Sequence, residues 1–191
     1  MIKMIDFLKE NIEDVLVKDL FRNDKNTRLL YMMHINKYDI IKDNLKKVNN
    51  IIKNNLELSK KPLYRGFGAG YNLGVLSKEK SVIDQIFYIG DILSFSEDLK
   101  VGQEFAKKGP SKIIIKLIDA DGFKYYQYLK NKIKEEIDQN KYQKKDIKSI
   151  ESTLRLLDYE KEWFIPQETK FKIIDIKITK QFTTLVCKVV K

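Results

Sequence analysis

The sequence predicts an α+β fold, with a helical N-terminal part followed by a β-rich remainder. Two observations carry the prediction. Up to about position 58 the apolar residues recur three and four apart, the period of one helix face. Beyond Pro62 they gather into short β-type runs, and three such runs close the chain. Helices first and mostly strands after argue against an alternating βαβ sheet.

Each element follows from local chemistry. Ile2, Ile5, Phe7, Leu8, Ile12, Val15 and Leu16 mark one helix face, and Ile40, Ile41, Leu45, Val48, Ile51 and Ile52 a later one. Asn23-Asp24-Lys25-Asn26 punctuates the two, with Thr27 a start signal for a short helix between. Lys60-Lys61-Pro62 ends the helical region, because the residue before a proline is pushed out of the α basin. Leu63 to Phe67 reads as a strand, and Gly66, Gly68, Gly70 and Gly74 mark the loop after it. Ser81 to Phe87 is expected to form a brief helix, and Tyr88 to Ser96 a strand interrupted at Gly90-Asp91. Glu97 to Lys108 reads as a helix capped by Ser96 that buries Val101, Phe105 and Ala106; Gly109-Pro110 stops it. Ser111 to Ile118 is strongly β-type, and Asp121-Gly122 reads as a turn. Phe123 to Ile150 is a lysine-rich amphipathic segment, helical in part. The closing strands are expected near Glu160 to Ile165, Lys170 to Ile178 and Phe182 to Val190. With no internal repeat and no Gly/Ser linker, one domain is expected over 1–191, with a helical part to 58 and a β-rich core from 59.

Composition narrows the function classes. With 43% hydrophobic residues the chain can bury a core, which excludes wholesale disorder. A single cysteine, Cys187, excludes an internal disulfide and a multi-cysteine metal site. The one histidine, His34, lies in the apolar stretch Leu29 to Ile35 and reads as packing. No apolar run approaches the ~20 residues that span a bilayer. Charges run through Ile2 to Lys18 where a signal peptide would have its apolar core, so a soluble cytoplasmic protein is expected. The net charge of +10 favours acidic partners without identifying one. Within 123–150, Lys130, Lys132, Lys134, Lys141, Lys144, Lys145 and Lys148 lie near Tyr125, Tyr126, Tyr128 and Tyr142. Basic-plus-aromatic surfaces bind single-stranded nucleic acid, so RNA contact is one reading. Core tyrosines beneath a solvated lysine face is the other.

Three short motifs carry chemistry. Arg65, between Tyr64 and Gly66, offers a forked guanidinium for a phosphate or pyrophosphate, or an ion pair with a carboxylate. Gly66 would let a ligand approach the backbone. Gly66-x-Gly68-x-Gly70 has the wrong spacing for a dinucleotide fingerprint. Ser94 and Ser96 flank Phe95 at a strand end. Glu160 and Glu162 enter a β-type run ending Trp163-Phe164-Ile165-Pro166, then Thr169-Lys170-Phe171-Lys172-Ile173. Extended geometry would place both carboxylates on one face, where like charges repel. A cation, from a substrate or a structural Arg or Lys, is expected between them.

An Arg-Gly strand, a Ser-x-Ser strand and a Glu-x-Glu strand, in that order, resemble the mono-ADP-ribosyltransferases of the Arg–Ser–Glu class. The segments Lys61-Pro62-Leu63-Tyr64-Arg65-Gly66 and Glu160-Lys161-Glu162-Trp163-Phe164-Ile165-Pro166 are most similar to the phage Mod-type enzymes. Phe95 stands where the family's Ser-Thr-Ser motif has threonine. The resemblance implies an ADP-ribosyltransferase-like fold with a mixed or antiparallel two-sheet β core. It implies NAD+ as co-substrate and no metal. Glu162 would be catalytic, Ser94 would orient it, and Glu160 would select arginine as acceptor. Arg65 would bind the NAD phosphates and ribose, Gly66 the carboxamide, with Tyr64, Ser96 and Phe105 completing the cofactor site. Tyr159 would belong to the substrate-recognition turn. Acceptors would be host transcription or translation proteins, and the enzyme a monomer. A same-fold enzyme that mainly hydrolyses NAD+, or attaches NAD-capped RNA, stays open; so does a basic RNA- or protein-binding module.

Overall fold

Val48, Asn49 and Ile52 recur on one face of a helix, and burying that stripe fixes α1 (Leu45–Asn54) in the computed structural model. The structure describes residues 45–67, 82–88, 90–109, 112–138 and 147–190. The expected helix faces of Ile2 to Leu16 and at Ile40 and Ile41, the Asn23 to Thr27 break, His34, Gly68, Gly70 and Gly74 lie outside them, as do Lys141, Tyr142, Lys144 and Lys145. The chain divides into two compact units, Met1–Ile51 with Tyr125–Tyr159, and Ile52–Lys124 with Glu160–Lys191.

The first unit contributes α3 (Tyr125–Asp138) and α4 (Ile147–Glu160, whose last residue belongs to the second unit). Tyr125, Leu129 and Ile133 form the buried stripe of α3, and Ile150, Thr153 and Leu157 that of α4. Lys130 Nζ lies 2.5 Å from Asp158 Oδ1 and Lys132 Nζ 3.0 Å from Glu135 Oε2. Two of the lysines read as a nucleic-acid surface thus hold acids of their own unit. No described helix is long and apolar enough to cross a membrane.

The second unit holds the strands. They are β1 (Glu57–Leu58), β2 (Leu63–Gly66), β3 (Ile86–Tyr88), β4 (Leu93–Ser96), β5 (Ile113–Ile118), β6 (Asp121–Gly122), β7 (Glu162–Ile165), β8 (Lys170–Ile178) and β9 (Thr183–Val189), with α2 (Leu99–Lys107) after β4. β1 and β6 form a small antiparallel sheet of their own. The other seven form one sheet in the order β3-β8-β9-β5-β2-β4-β7. Its pairings are antiparallel except β5 with β9, so the core is one mixed, mostly antiparallel sheet. Alternation gives the sheet a buried face, with Leu63, Phe95, Ile115, Leu117 and Trp163 all under 4% exposed.

Several local expectations are corrected. The expected brief helix through Phe87 is a single turn at Val82 followed by strand β3, because Asp84 takes a left-handed φ of 71°. Helix α1 ends at Asn54, and Glu57–Leu58 is already strand. Asp121-Gly122 is a strand pairing with Glu57 and Leu58; the chain bends earlier, at Asp119, where φ is 51°. Helix α2 is capped by Asp98, whose side chain accepts from Lys100 N–H at 2.8 Å, so Ser96 is not its cap. Phe105 is not buried: it is 45% exposed, beneath Lys108 Nζ at 4.8 Å from its ring centroid.

The most consequential correction concerns the two glutamates. The apolar spacing Ile150, Leu154, Leu157 carries helix α4 through to Glu160. Lys161 then takes a left-handed φ of 43° and ends it, and strand β7 starts at Glu162. Glu160 and Glu162 therefore flank an elbow and are not neighbours on one strand face.

Candidate active site

Register assembles the site. Tyr64 opposes Ser96 across β2 and β4, and Ser96 opposes Glu162 across β4 and β7. Paired residues share a face, so Tyr64, Ser96 and Glu162 form one row, with Ser94 two residues along β4 on the same side. The Ser94 hydroxyl donates to Glu162 Oε1. Both residues are half-buried at the end of the sheet. Arg65 alternates to the other side of the pleat, yet its guanidinium ends at the same place: Nη1 donates to the Ser94 carbonyl at 2.7 Å. Its Cζ also lies 5.4 Å from the Phe67 ring centroid. Arg65, Ser94 and Glu162 are thus joined in one chain of hydrogen bonds, with Phe95 beside Ser94 pointing into the core.

Gly66 meets two demands at once. A Cβ there would lie 1.9 Å from Gly102 O and 2.4 Å from Ala106 N, so helix α2 packs backbone to backbone on β2. Tyr64, beside it, packs over Gly102 and against Ala106, Ile114 and Phe182. Burial raises the Tyr64 pKa and keeps its hydroxyl protonated. A ring as large as Phe105 does not fit between backbones this close, which is why it turns outward. The second demand is polar. Phe67 N–H donates to Ile113 O at 3.1 Å, so the odd residues of β2 address β5 and Gly66 turns its own N–H and C=O toward β4. The β2–β4 ladder consists of Tyr64↔Ser96, so that edge of Gly66 lies beyond its last pair.

The elbow is pinned from β4. The Ser96 hydroxyl donates to Glu160 O at 2.5 Å and accepts from Asp98 N–H at 2.9 Å. Glu97 N–H donates to Lys161 O at 3.3 Å, and Trp163 Nε1–H donates to Glu97 Oε1 at 2.9 Å. Sequence reading singled out Ser96 and missed Glu97, Lys161 and Trp163 as partners. Nothing in local spacing pairs Glu97 with Trp163; the strand register does. The helical spacing ahead of Glu160 was the legible warning that the two glutamates are not both in a strand.

The remaining candidates are both exposed, Tyr159 in the last turn of α4 and Phe105 on α2. Among the described residues no group of three or more His, Cys, Asp or Glu gathers as a metal site.

Solved structures share this fold. The ADP-ribosyltransferase Vis of Vibrio splendidus, in complex with an inhibitor, is 14% identical with a TM-score of 0.57, covering 99% of this chain and 85% of that one. Vis has also been solved in complex with agmatine. Plx2a, an ADP-ribosyltransferase toxin from Paenibacillus larvae, is 15% identical with a TM-score of 0.55, over 98% and 96% of the two chains. Exoenzyme S from Pseudomonas aeruginosa, bound to carba-NAD and in complex with human 14-3-3 protein beta, is 13% identical with a TM-score of 0.54, over 97% and 88%. At such identities the likeness shows the fold alone. Among curated protein sequences there is no match. The model of the bacteriophage T4 Mod ADP-ribosyltransferases matches residues 3–190, nearly the whole chain, and the chain belongs to that family.

Proposed function

We propose that this ADP-ribosyltransferase takes ADP-ribose from NAD+ and transfers it to arginine side chains of acceptor proteins, releasing nicotinamide. The observation that carries the reading is the bonded chain of Arg65, Ser94 and Glu162 at one end of the sheet. Arg65 binds the NAD phosphates, and the β4-facing edge of Gly66 takes the carboxamide. Nicotinamide leaves as a neutral molecule with the electron pair of the C–N bond, and the ribose becomes an oxocarbenium ion. Glu162, oriented by Ser94, holds the ribose 2′-hydroxyl and faces that developing charge. A guanidinium nitrogen then bonds to the anomeric carbon and loses a proton to Glu160. The Exoenzyme S complex supports the cofactor, since a protein of this fold holds carba-NAD. The Vis complex supports the acceptor, since agmatine carries a guanidinium.

Glu160 suits the acceptor role for a further reason. It ends α4, where the helix dipole is negative and a carboxylate costs about 0.3–1 kcal/mol. The same field favours an incoming cation. Catalysis belongs to the β-rich part from residue 59, within a single domain over 1–191. Host transcription or translation proteins in the cytoplasm are the acceptors we infer from the Mod family.

Glu160→Gln tests the finer assignment. Labelling of arginine-bearing protein from NAD+ should fall about 10- to 100-fold, the worth of a charge-assisted hydrogen bond. Nicotinamide release into water should fall less than threefold. Equal loss of both activities would place Glu160 in the ribose site. Full retention of both would remove arginine selection from it, and label on another side chain or on RNA would replace the arginine reading.

A further inference from the structure

Glu162 is the first residue of β7, and the β4–β7 ladder ends with it at Ser96↔Glu162. The end of a ladder frays, so a group there needs restraint from beyond the ladder. Glu97 supplies it on both sides. Its N–H holds Lys161 O at 3.3 Å, and its Oε1 accepts from Trp163 Nε1–H at 2.9 Å. The two residues flanking Glu162 in sequence are thus held by one glutamate. That carboxylate is nearly buried, with 9% of its side chain exposed, and Lys61 Nζ lies 3.7 Å from its other oxygen. The Trp163 indole is 3% exposed and takes Lys124 Nζ at 5.5 Å from its ring. A buried, charge-assisted bond to a rigid aromatic ring is a stiff connection.

We infer that Glu97 and Trp163 form a positioning pair that holds the Glu162 carboxylate in register with the ribose. The inference rests on the reading of Glu162 as the catalytic carboxylate and goes beyond the three motif residues. A restraint of this kind acts on the transition state: the pair touches no substrate, so it sets kcat and leaves NAD+ affinity alone. Displacing a reacting group by about 1 Å costs on the order of 10²-fold in rate, and a loosened strand end covers part of that range.

The test measures nicotinamide release by the full chain, with kcat and KM for NAD+ separated and active protein counted. Glu97→Ala should lower kcat about 10- to 30-fold with KM unchanged within about threefold. Glu97→Gln keeps an acceptor oxygen for the indole and should restore kcat to within about threefold of wild type. Trp163→Phe should reproduce the Glu97→Ala loss, and the double variant should be no slower than the slower single one. Should Glu97→Ala fold poorly, the contrast of Trp163→Phe with Glu97→Gln decides. A kcat within threefold of wild type for Glu97→Ala or Trp163→Phe would overturn the inference. So would a rise confined to KM, or multiplicative losses in the double variant. Glu162→Gln runs beside them: if it stays active the catalytic reading fails, and if it is inactive while Glu97→Ala is not, only the positioning pair fails.

Discussion

Glu162→Gln is expected to lower nicotinamide release and protein labelling together, by about 10²- to 10³-fold or more. The substitution isolates charge from shape. Glutamine keeps a side-chain oxygen that still accepts from the Ser94 hydroxyl, so the bond between β4 and β7 survives. What disappears is the negative charge that the proposed mechanism sets against an oxocarbenium ion. Melting temperature should stay close to wild type, because a half-buried end of one strand is all that changes. Ser94→Ala removes only the orienting bond and should cost less, about 10- to 100-fold, the range for a hydrogen bond to a charged group. Activity of Glu162→Gln within tenfold of wild type would remove that residue from the reaction.

The second large effect falls on the fold. Gly66→Ala places a methyl group 1.9 Å from the Gly102 carbonyl oxygen and 2.4 Å from the Ala106 nitrogen. Both are backbone atoms of α2, so no side chain can swing aside and the helix itself must move off β2. Overpacking costs about 1–3 kcal/mol when neighbours adjust, and backbone neighbours put this site at or above the top of that range. At roughly 2–4 °C per kcal/mol for a chain of this size, a drop of about 6–12 °C in Tm is expected. Circular dichroism melting reads it directly. An unchanged Tm would show that α2 does not approach β2 this closely.

The strands were legible where composition speaks locally. Lys170 to Ile178 alternates on either side of a phase shift at Ile173-Ile174 and carries β-branched residues, and β8 occupies that span with a register shift at that point. Ile113 to Ile118 is a run of apolar β-formers around Lys116, and it is the central strand β5 with Ile113 to Ile115 nearly or fully buried. Arg65, Ser94 and Glu162 were legible as motifs, and the register of β2, β4 and β7 brings them together. The elbow at Lys161 was not. A Glu-x-Glu pair ahead of Trp-Phe-Ile reads as strand unless the helical period arriving from Ile150 and Leu157 is given equal weight. Phe105 was misplaced because helix periodicity identifies an apolar face without revealing how near a neighbouring backbone comes. That distance is set by Gly66 and Gly102, which sit 36 residues apart in sequence. Glu97 was hidden for a related reason: its partner Trp163 lies on another strand.

In the proposed function Arg65, Gly66, Ser94 and Glu162 together receive NAD+. A crystal structure of this chain with carba-NAD, whose nicotinamide bond does not hydrolyse, tests it most directly. The expected result is a pyrophosphate on the Arg65 guanidinium, a carboxamide on the backbone of Gly66 and a ribose 2′-hydroxyl on Glu162. An analogue bound with its ribose away from Glu162, or on a surface that includes neither Arg65 nor Gly66, would contradict it.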